Sequence, residues 1–251
     1  MSNVSQLVQH RNAVTEGDAR FQVAAARRIL YREGVDSQVG GHVSLRAPGE
    51  DAFLVTPFQY FDETLPEHVM KVGFDLAVRE PGTLPASPGI NFHASVYTAR
   101  PDVNCVIHTH GRNTALLSTR GGTLGRYHVY ASIFHDDMAF FRDDMSLTPD
   151  EEGDAIARTL GGKRALMMGH HGALHVAASL EVATVEALLL EYLAGIEIEA
   201  IRIGGEELDV ETTVAYRKAY LKNAFHTYMW EANYRRLRRS DPDLFAVLGE
   251  G

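Results

Sequence analysis

The chain has 251 residues, 45% of them hydrophobic, which is enough to bury a sizeable core in one α/β domain. Its formal net charge of −9, unbroken by any long Lys/Arg block, sets nucleic acid and anionic membrane surfaces aside as partners. The one cysteine, Cys105, excludes an intramolecular disulfide, and its place in an apolar run suits a buried structural thiol in a reducing compartment.

Residues 1–14 are polar and lack the apolar core of a secretory signal. They read as an N-terminal tail before a single domain over 15–251, whose last part, from about residue 205, is helical. The most apolar later stretch, Val182 to Ile196, is interrupted by Glu186 and Glu191, so no transmembrane span is expected and the protein reads as cytoplasmic. Thr15 to Glu33 places Phe21, Ala24, Ala25, Ile29 and Leu30 on one helix face and stops at Gly34. Val39 to Arg46 reads as a glycine turn into a strand, and Ala52 to Thr56 as a second strand closed by Pro57. An aromatic loop, Phe58-Gln59-Tyr60-Phe61, follows. Ile90 to Ala99 is a short helix on which His93 and Tyr97, four apart, share a face. His93, with Tyr97 beside it, then either orients a metal ligand or donates a proton, or His93 is a hydrogen-bonded histidine under a sheet, which is the commoner fate.

Val103 to Gly111 is an apolar β-type run ending in His108-Thr109-His110. Alternation puts His108 and His110 on one face with Asn104 and Val106, and Val103, Cys105, Ile107 and Thr109 on the other. Two imidazoles side by side can hold one divalent transition ion at about 2.0–2.1 Å, but an open catalytic site needs a third protein ligand. The plainer alternative is two unrelated histidines near a turn. Arg112 lies just past them, where its guanidinium could take a carboxylate through two parallel hydrogen bonds or could simply begin a surface helix. Residues 127–137 carry Tyr127, His128, Tyr130, His135, Asp136 and Asp137 at spacings that single out none of them, and read as a mobile or interface element.

Asp150 to Leu160 is a helix with acids in its first turn and Gly161-Gly162 beyond its last. Lys163 to Val176 reads as strand, glycine-marked turn and strand. Its adjacent His170 and His171 face opposite ways in an extended chain, so one of them at most joins an ion. Leu180 to Ile198 and Val210 to Arg239 are further helical patterns. The second carries an aromatic stripe of Tyr216, Tyr220, Phe225, Tyr228, Trp230 and Tyr234 and ends on four arginines, as suits packing against the domain or a neighbouring subunit.

Asn91-Phe92-His93-Ala94-Ser95-Val96-Tyr97, Ala99-Arg100-Pro101-Asp102-Val103, His108-Thr109-His110 and His170-His171-Gly172, in that order, resemble the class II aldolase/adducin family from about Arg20 to Leu180. The resemblance, with the pattern of elements, implies a class II aldolase-like α/β domain with a mixed central β-sheet flanked by helices. It implies metal ligands at His108, His110 and His171, the last matching the histidine before Gly in the family's usual Asn-His-Gly. Zinc is the first choice of ion, with manganese or another divalent transition metal open. It further implies a small-molecule substrate and a homo-oligomer, commonly a cyclic tetramer in which a C-terminal tyrosine reaches the neighbour's site.

Three departures bear on the reaction. The family's phosphate-holding turn usually reads Gly-Asn-x-Ser; here His42 replaces the Asn ahead of Ser44, and His42, Ser44, Thr56 and Arg112 are the candidate substrate-side residues. The loop at Phe58 to Phe61 is more aromatic than a phosphate cradle. Where family aldolases carry Ser-Ser-Glu, with the Glu as acid/base, this chain has Ser87-Pro88-Gly89, so no residue is assigned that role. Together they point to a metal-dependent lyase that breaks a carbon–carbon bond beside a carbonyl or hydroxyl oxygen. Its substrate would be a non-phosphorylated carboxylate, cleaved by decarboxylation or retro-aldol reaction. The alternative is a non-catalytic adducin-like binding or assembly module, against which the three retained histidines count.

Overall fold

The computed structural model describes residues 14–142, 144 and 146–249. Of the expected tail over 1–14, all but Val14 lies outside the described residues, and Val14 bridges to Leu248.

Eight strands form one sheet: β1 (His42–Arg46), β2 (Ala52–Val55), β3 (Met70–Gly73), β4 (Val78–Glu80), β5 (Cys105–Thr109), β6 (Met138–Phe141), β7 (Ala165–Met168) and β8 (Gly172–Ala177). Their order is β4-β3-β2-β1-β5-β8-β7-β6. Neighbours are antiparallel except for the parallel pair β6 and β7, so the sheet is mixed, as the resemblance implies.

Alternation along β5 sets the layers. Cys105 and Ile107 join the core under α1 (Ala19–Arg32) and α5 (Leu180–Arg202), while Val106 joins the opposite core under α2 (Asn91–Ala99) and α4 (Pro149–Leu160). Cys105 is a buried free thiol, as expected. The helix ends are chemically marked: the Asp18 carboxylate accepts the Arg20 N–H at 2.8 Å, and Thr148 with Glu151 forms a capping box ahead of α4. A further layer holds α3 (Arg112–Ser118), the 3₁₀ turn Val129–Phe134, α6 (Val210–Lys222), α7 (Phe225–Ser240) and α8 (Pro242–Phe245).

Three expectations change. The pattern over Val210 to Arg239 is two helices broken at Asn223-Ala224; α7 turns Leu237 and Asn233 inward, whereas α6 buries only Thr213. The first helix starts at Ala19 because Asp18 caps it, and α5 runs on to Arg202. Within residues 127–137, Val129–Phe134 form the 3₁₀ turn leading toward β6, with Ala131 to Phe134 buried. β3, β4 and β6 escaped the reading because each is only three or four residues long and β4 is wholly exposed, too short for alternation to register. No helix among the described residues is long and apolar enough to cross a membrane.

The approach of β8 to β5 depends on Gly172, where a Cβ would collide with the Thr109 carbonyl oxygen. Gly172→Ala is expected to push the two strands apart at the residue beside His171, costing about 1–3 kcal/mol of stability. A lowered thermal midpoint together with poorer metal retention, measured on the same preparation, is the outcome that checks this.

Candidate metal centre

Registry across three strands builds the site. His42 on β1 pairs with His108, and His108 pairs on its other side with Leu174 of β8. His110 follows one step past the strand end. His171 arrives by the β7–β8 turn, in which His170 takes a left-handed backbone (φ 60°) and lies exposed, leaving His171 to face the strand end. The two adjacent histidines are thus separated by a turn, not by the alternation of an extended chain expected for them.

The Nε2 atoms of His108 and His110 are 2.8 Å apart, and those of His110 and His171 3.0 Å. One ligand atom from each of the three lies within 4.8 Å of the others. His108 Nδ1 is 3.0 Å from the Ala173 carbonyl, which can only accept, so Nδ1 carries the proton and Nε2 presents a bare lone pair. The His110 amide donates to Ser37 Oγ at 2.7 Å, and its ring rests on Gly40, where a Cβ would sit 2.8 Å from Cε1. Burial holds the His108 pKa well below that of a free imidazole, with neighbouring His42 next in effect, and lowers His110 to about 4 by burial and then His171. These are neutral nitrogens at neutral pH. Ion-bound donors at about 2.0–2.1 Å from one centre stand a little over about 3 Å apart, so this set fits one divalent transition ion such as zinc.

Behind His108 lies a second, wholly buried group. His42 Nδ1 is 2.8 Å from His93 Nε2, His93 Nδ1 is 2.7 Å from Ser44 Oγ, and Ser44 Oγ is 2.8 Å from the Tyr97 hydroxyl. Burial is the first cause that keeps both imidazoles well below the usual histidine range and Tyr97 well above the usual phenol range. His93 therefore takes the hydrogen-bonded place under the sheet, one ring removed from His108. Ser44 and Thr56 are completely buried: the Thr56 hydroxyl accepts from the Val43 N–H at 3.1 Å, and the Ser44 hydroxyl is taken up by His93 and Tyr97. Gly89 has φ 83°, and a Cβ there would stand 3.2 Å from Phe92 Cε1 and 3.4 Å from His42 Nε2, so the His42 ring occupies the space a side chain at 89 would enter.

Arg112 is exposed in the first turn of α3, with one hydrogen bond to Asn113 Oδ1 at 3.4 Å. That turn is held by a residue the sequence reading passed over. Glu191, 6% exposed on α5, accepts from the Asn113 N–H at 2.7 Å, the Thr114 N–H at 2.9 Å and the Thr114 hydroxyl at 2.7 Å. Gly111 allows the approach, since a Cβ there would collide with the carboxylate. A glutamate interrupting an apolar helix was the available signal, because a buried carboxylate needs donors.

Residues 21–198 match the Class II Aldolase and Adducin N-terminal domain. The chain belongs to that family. Among relatives of this family member, a decarboxylase named NovR from Streptomyces niveus is 27% identical over 90% of this chain and 86% of its own. A 5-methylthioribulose-1-phosphate/5-deoxyribulose-1-phosphate aldolase from Escherichia coli is 26% identical over 82% of this chain and 94% of its own. The crystal structure of an aldolase II superfamily protein from Pseudomonas syringae superposes with a TM-score of 0.82 at 25% identity, covering 93% of this chain and 97% of that one. Family enzymes are divalent-metal-dependent lyases, and the histidine cluster of this chain is of the kind they need.

Two measurements follow from the geometry. Metal analysis of His108→Ala and His110→Ala should find the ion lost, and of His170→Ala should find most of it kept. In metal-stripped protein, His42, His93, His108, His110 and His175 all have lowered pKa values, so below about pH 6.5 the unfolded chain binds more protons than the folded one. Stability from these groups is complete above that pH and is lost as pH falls toward about 4, where His110 itself titrates. The apo-protein's thermal midpoint should be flat from about pH 7 to 8 and fall steadily below about 6.5; a rise on acidification would contradict the assignment.

Proposed function

We propose that this family member is a metal-dependent carbon–carbon lyase acting on a non-phosphorylated carboxylate, and that decarboxylation suits its site better than aldol cleavage of a sugar phosphate. The observation that carries the reading is the wall beside His108: Gly89 offers no acid/base group, and the His42 ring fills the adjoining space. Retro-aldol cleavage needs a base to take a hydroxyl proton, whereas loss of CO₂ breaks the carbon–carboxylate bond, leaves the electron pair on carbon and asks only for a proton to reach that carbon afterwards. The family name does not choose between the two, since both aldolases and decarboxylases are among the relatives.

His108, His110 and His171 would hold the ion, zinc first and manganese second, which when bound supplies the Lewis acidity that stabilises the developing negative charge. Arg112 stands one residue past the ligand loop, free to bind a carboxylate with two parallel hydrogen bonds. A phosphate dianion would need several N–H or cationic donors to offset its desolvation. Pro88 has no N–H to give, and Thr56 and Ser44 face inward.

The same reading takes the chain to be a cytoplasmic homo-oligomer, a tetramer by analogy with the family. Ile203 (83% exposed), Val210 (53%), Val214 (51%) and Tyr228 (70%) leave an apolar surface along the C-terminal helices, which supports assembly. An adducin-like module with no reaction would use that surface too, but it has no need for three converging imidazoles.

The test is a screen of hydroxy- and keto-carboxylates with metal-loaded protein, following CO₂, alongside ketose and aldose phosphates. Metal-dependent CO₂ release with negligible sugar-phosphate cleavage is expected; efficient retro-aldol turnover of a sugar phosphate would reject the reading. Small-angle scattering at micromolar concentration should give a particle larger than a dimer.

A further inference from the structure

Arg27 lies on the inner face of α1 and is completely buried. Its Nη1 donates to the Pro57 carbonyl at 2.7 Å and to Thr64 Oγ1 at 3.3 Å, its Nη2 donates to the Gln59 carbonyl at 2.8 Å, and the guanidinium sits 4.4 Å from the centre of the Phe61 ring. Its Nε has no partner, and among the described residues no carboxylate pairs with it. The next residue makes the contrast plain: Arg28, equally enclosed, meets Asp241 at 3.1 Å and Asp243 at 2.7 Å. Carbonyls, a hydroxyl and a ring face orient a guanidinium without cancelling its charge. Burial lowers the Arg27 pKa to about 9, which still leaves it a cation at neutral pH.

A buried cation with no counter-charge is destabilising, so its position needs a reason. Its two carbonyl partners belong to the loop that leaves β2. Ser44 pairs with Val55, and the Thr56 N–H bonds to the Val43 carbonyl, so Pro57 continues the row formed by His42 and His108. The charge therefore stands behind the loop at the end of the sheet where the histidines converge. Around it the protein as a whole carries −9. Phe58 and Tyr60, about half exposed on the same loop, are held outward by the bonds that Arg27 makes to the backbone on either side of Phe58.

We propose that Arg27 is a positioning residue that gives this site its preference for an anion, by fixing the Pro57–Tyr60 wall and by keeping an uncompensated positive charge behind it. The inference rests on the carboxylate reading above and names the residue that sets the sign of the ligand. A small carboxylate entering beside the histidines supplies the negative charge that the protein interior omits.

The probes are glycolate and its neutral amide, glycolamide, which share a shape and differ in charge. Calorimetric binding is measured on metal-loaded wild type, Arg27→Met and Arg27→Lys at matched metal content and far-ultraviolet dichroism. Arg27→Met should weaken glycolate about tenfold and leave glycolamide within about twofold; Arg27→Lys, which keeps the charge, should hold glycolate within about threefold. Equal loss for both probes would reduce Arg27 to a structural brace and overturn the proposal, as would no change for either. Should Arg27→Met fail to fold, Arg27→Gln, which is also neutral but keeps an N–H donor for the loop carbonyls, takes its place under the same criteria: selective loss of glycolate supports the proposal, and equal loss or no change overturns it. Turnover is separate, since a charge-selective wild type that releases no CO₂ from any carboxylate would sink the lyase reading and leave the Arg27 assignment standing.

Discussion

Strand β5 is hydrogen-bonded along both edges, to β1 and to β8, and every one of its side chains is buried. The rest of the site depends on that double pairing. A strand fixed on two sides cannot slip by one residue without moving its whole apolar set to the wrong face, so the orientation of His108 is enforced by the packing of Cys105, Val106 and Ile107. The same registers bring His42 and the Ala173 carbonyl, far apart in the chain, to either side of one imidazole. The metal-facing lone pair is therefore a result of sheet pairing before it is a property of histidine.

What the sequence made legible follows the same logic. The histidine pair on one face of β5 was readable because strand alternation is strict, and the choice of His171 over His170 came from the family likeness and agrees with the left-handed turn at His170. The burial of Ser44 and Thr56 was not legible, because motif position says nothing about which side of a sheet a hydroxyl meets; Ser44 is enclosed between β5 and α2, and Thr56 is bonded to Val43 of β1. Arg27 and Glu191 were missed for another reason. Each looks like an ordinary charge in a helical pattern, and its meaning lies in contacts more than 30 residues away in sequence. The short strands β3, β4 and β6 carry too few residues for a period to emerge.

Desolvation is the second theme. Burial lowers the pKa values of the histidines on both sides of β5, including His175, whose two ring nitrogens find no partner and whose pKa falls to about 3. Around the site this keeps imidazoles neutral, the form in which a nitrogen can donate a lone pair. The donors carry no negative charge, so a bound divalent ion would keep its full charge and any partial neutralisation would come from the ligand it meets. The roles proposed for Arg112 and Arg27 would act in the same sense.

The carboxylate of Glu191 has one further effect. Gly111, which precedes α3, contributes no side-chain cap, so the first-turn amides of this seven-residue helix would ordinarily face water and exchange their hydrogens readily. Here the amides of Asn113 and Thr114 are bonded to a buried group on α5. Their exchange requires those bonds to open, which ties the segment just after His110 to α5. The slow exchange of two amides at a helix start would then report how firmly the metal loop is joined to the longest helix of the protein.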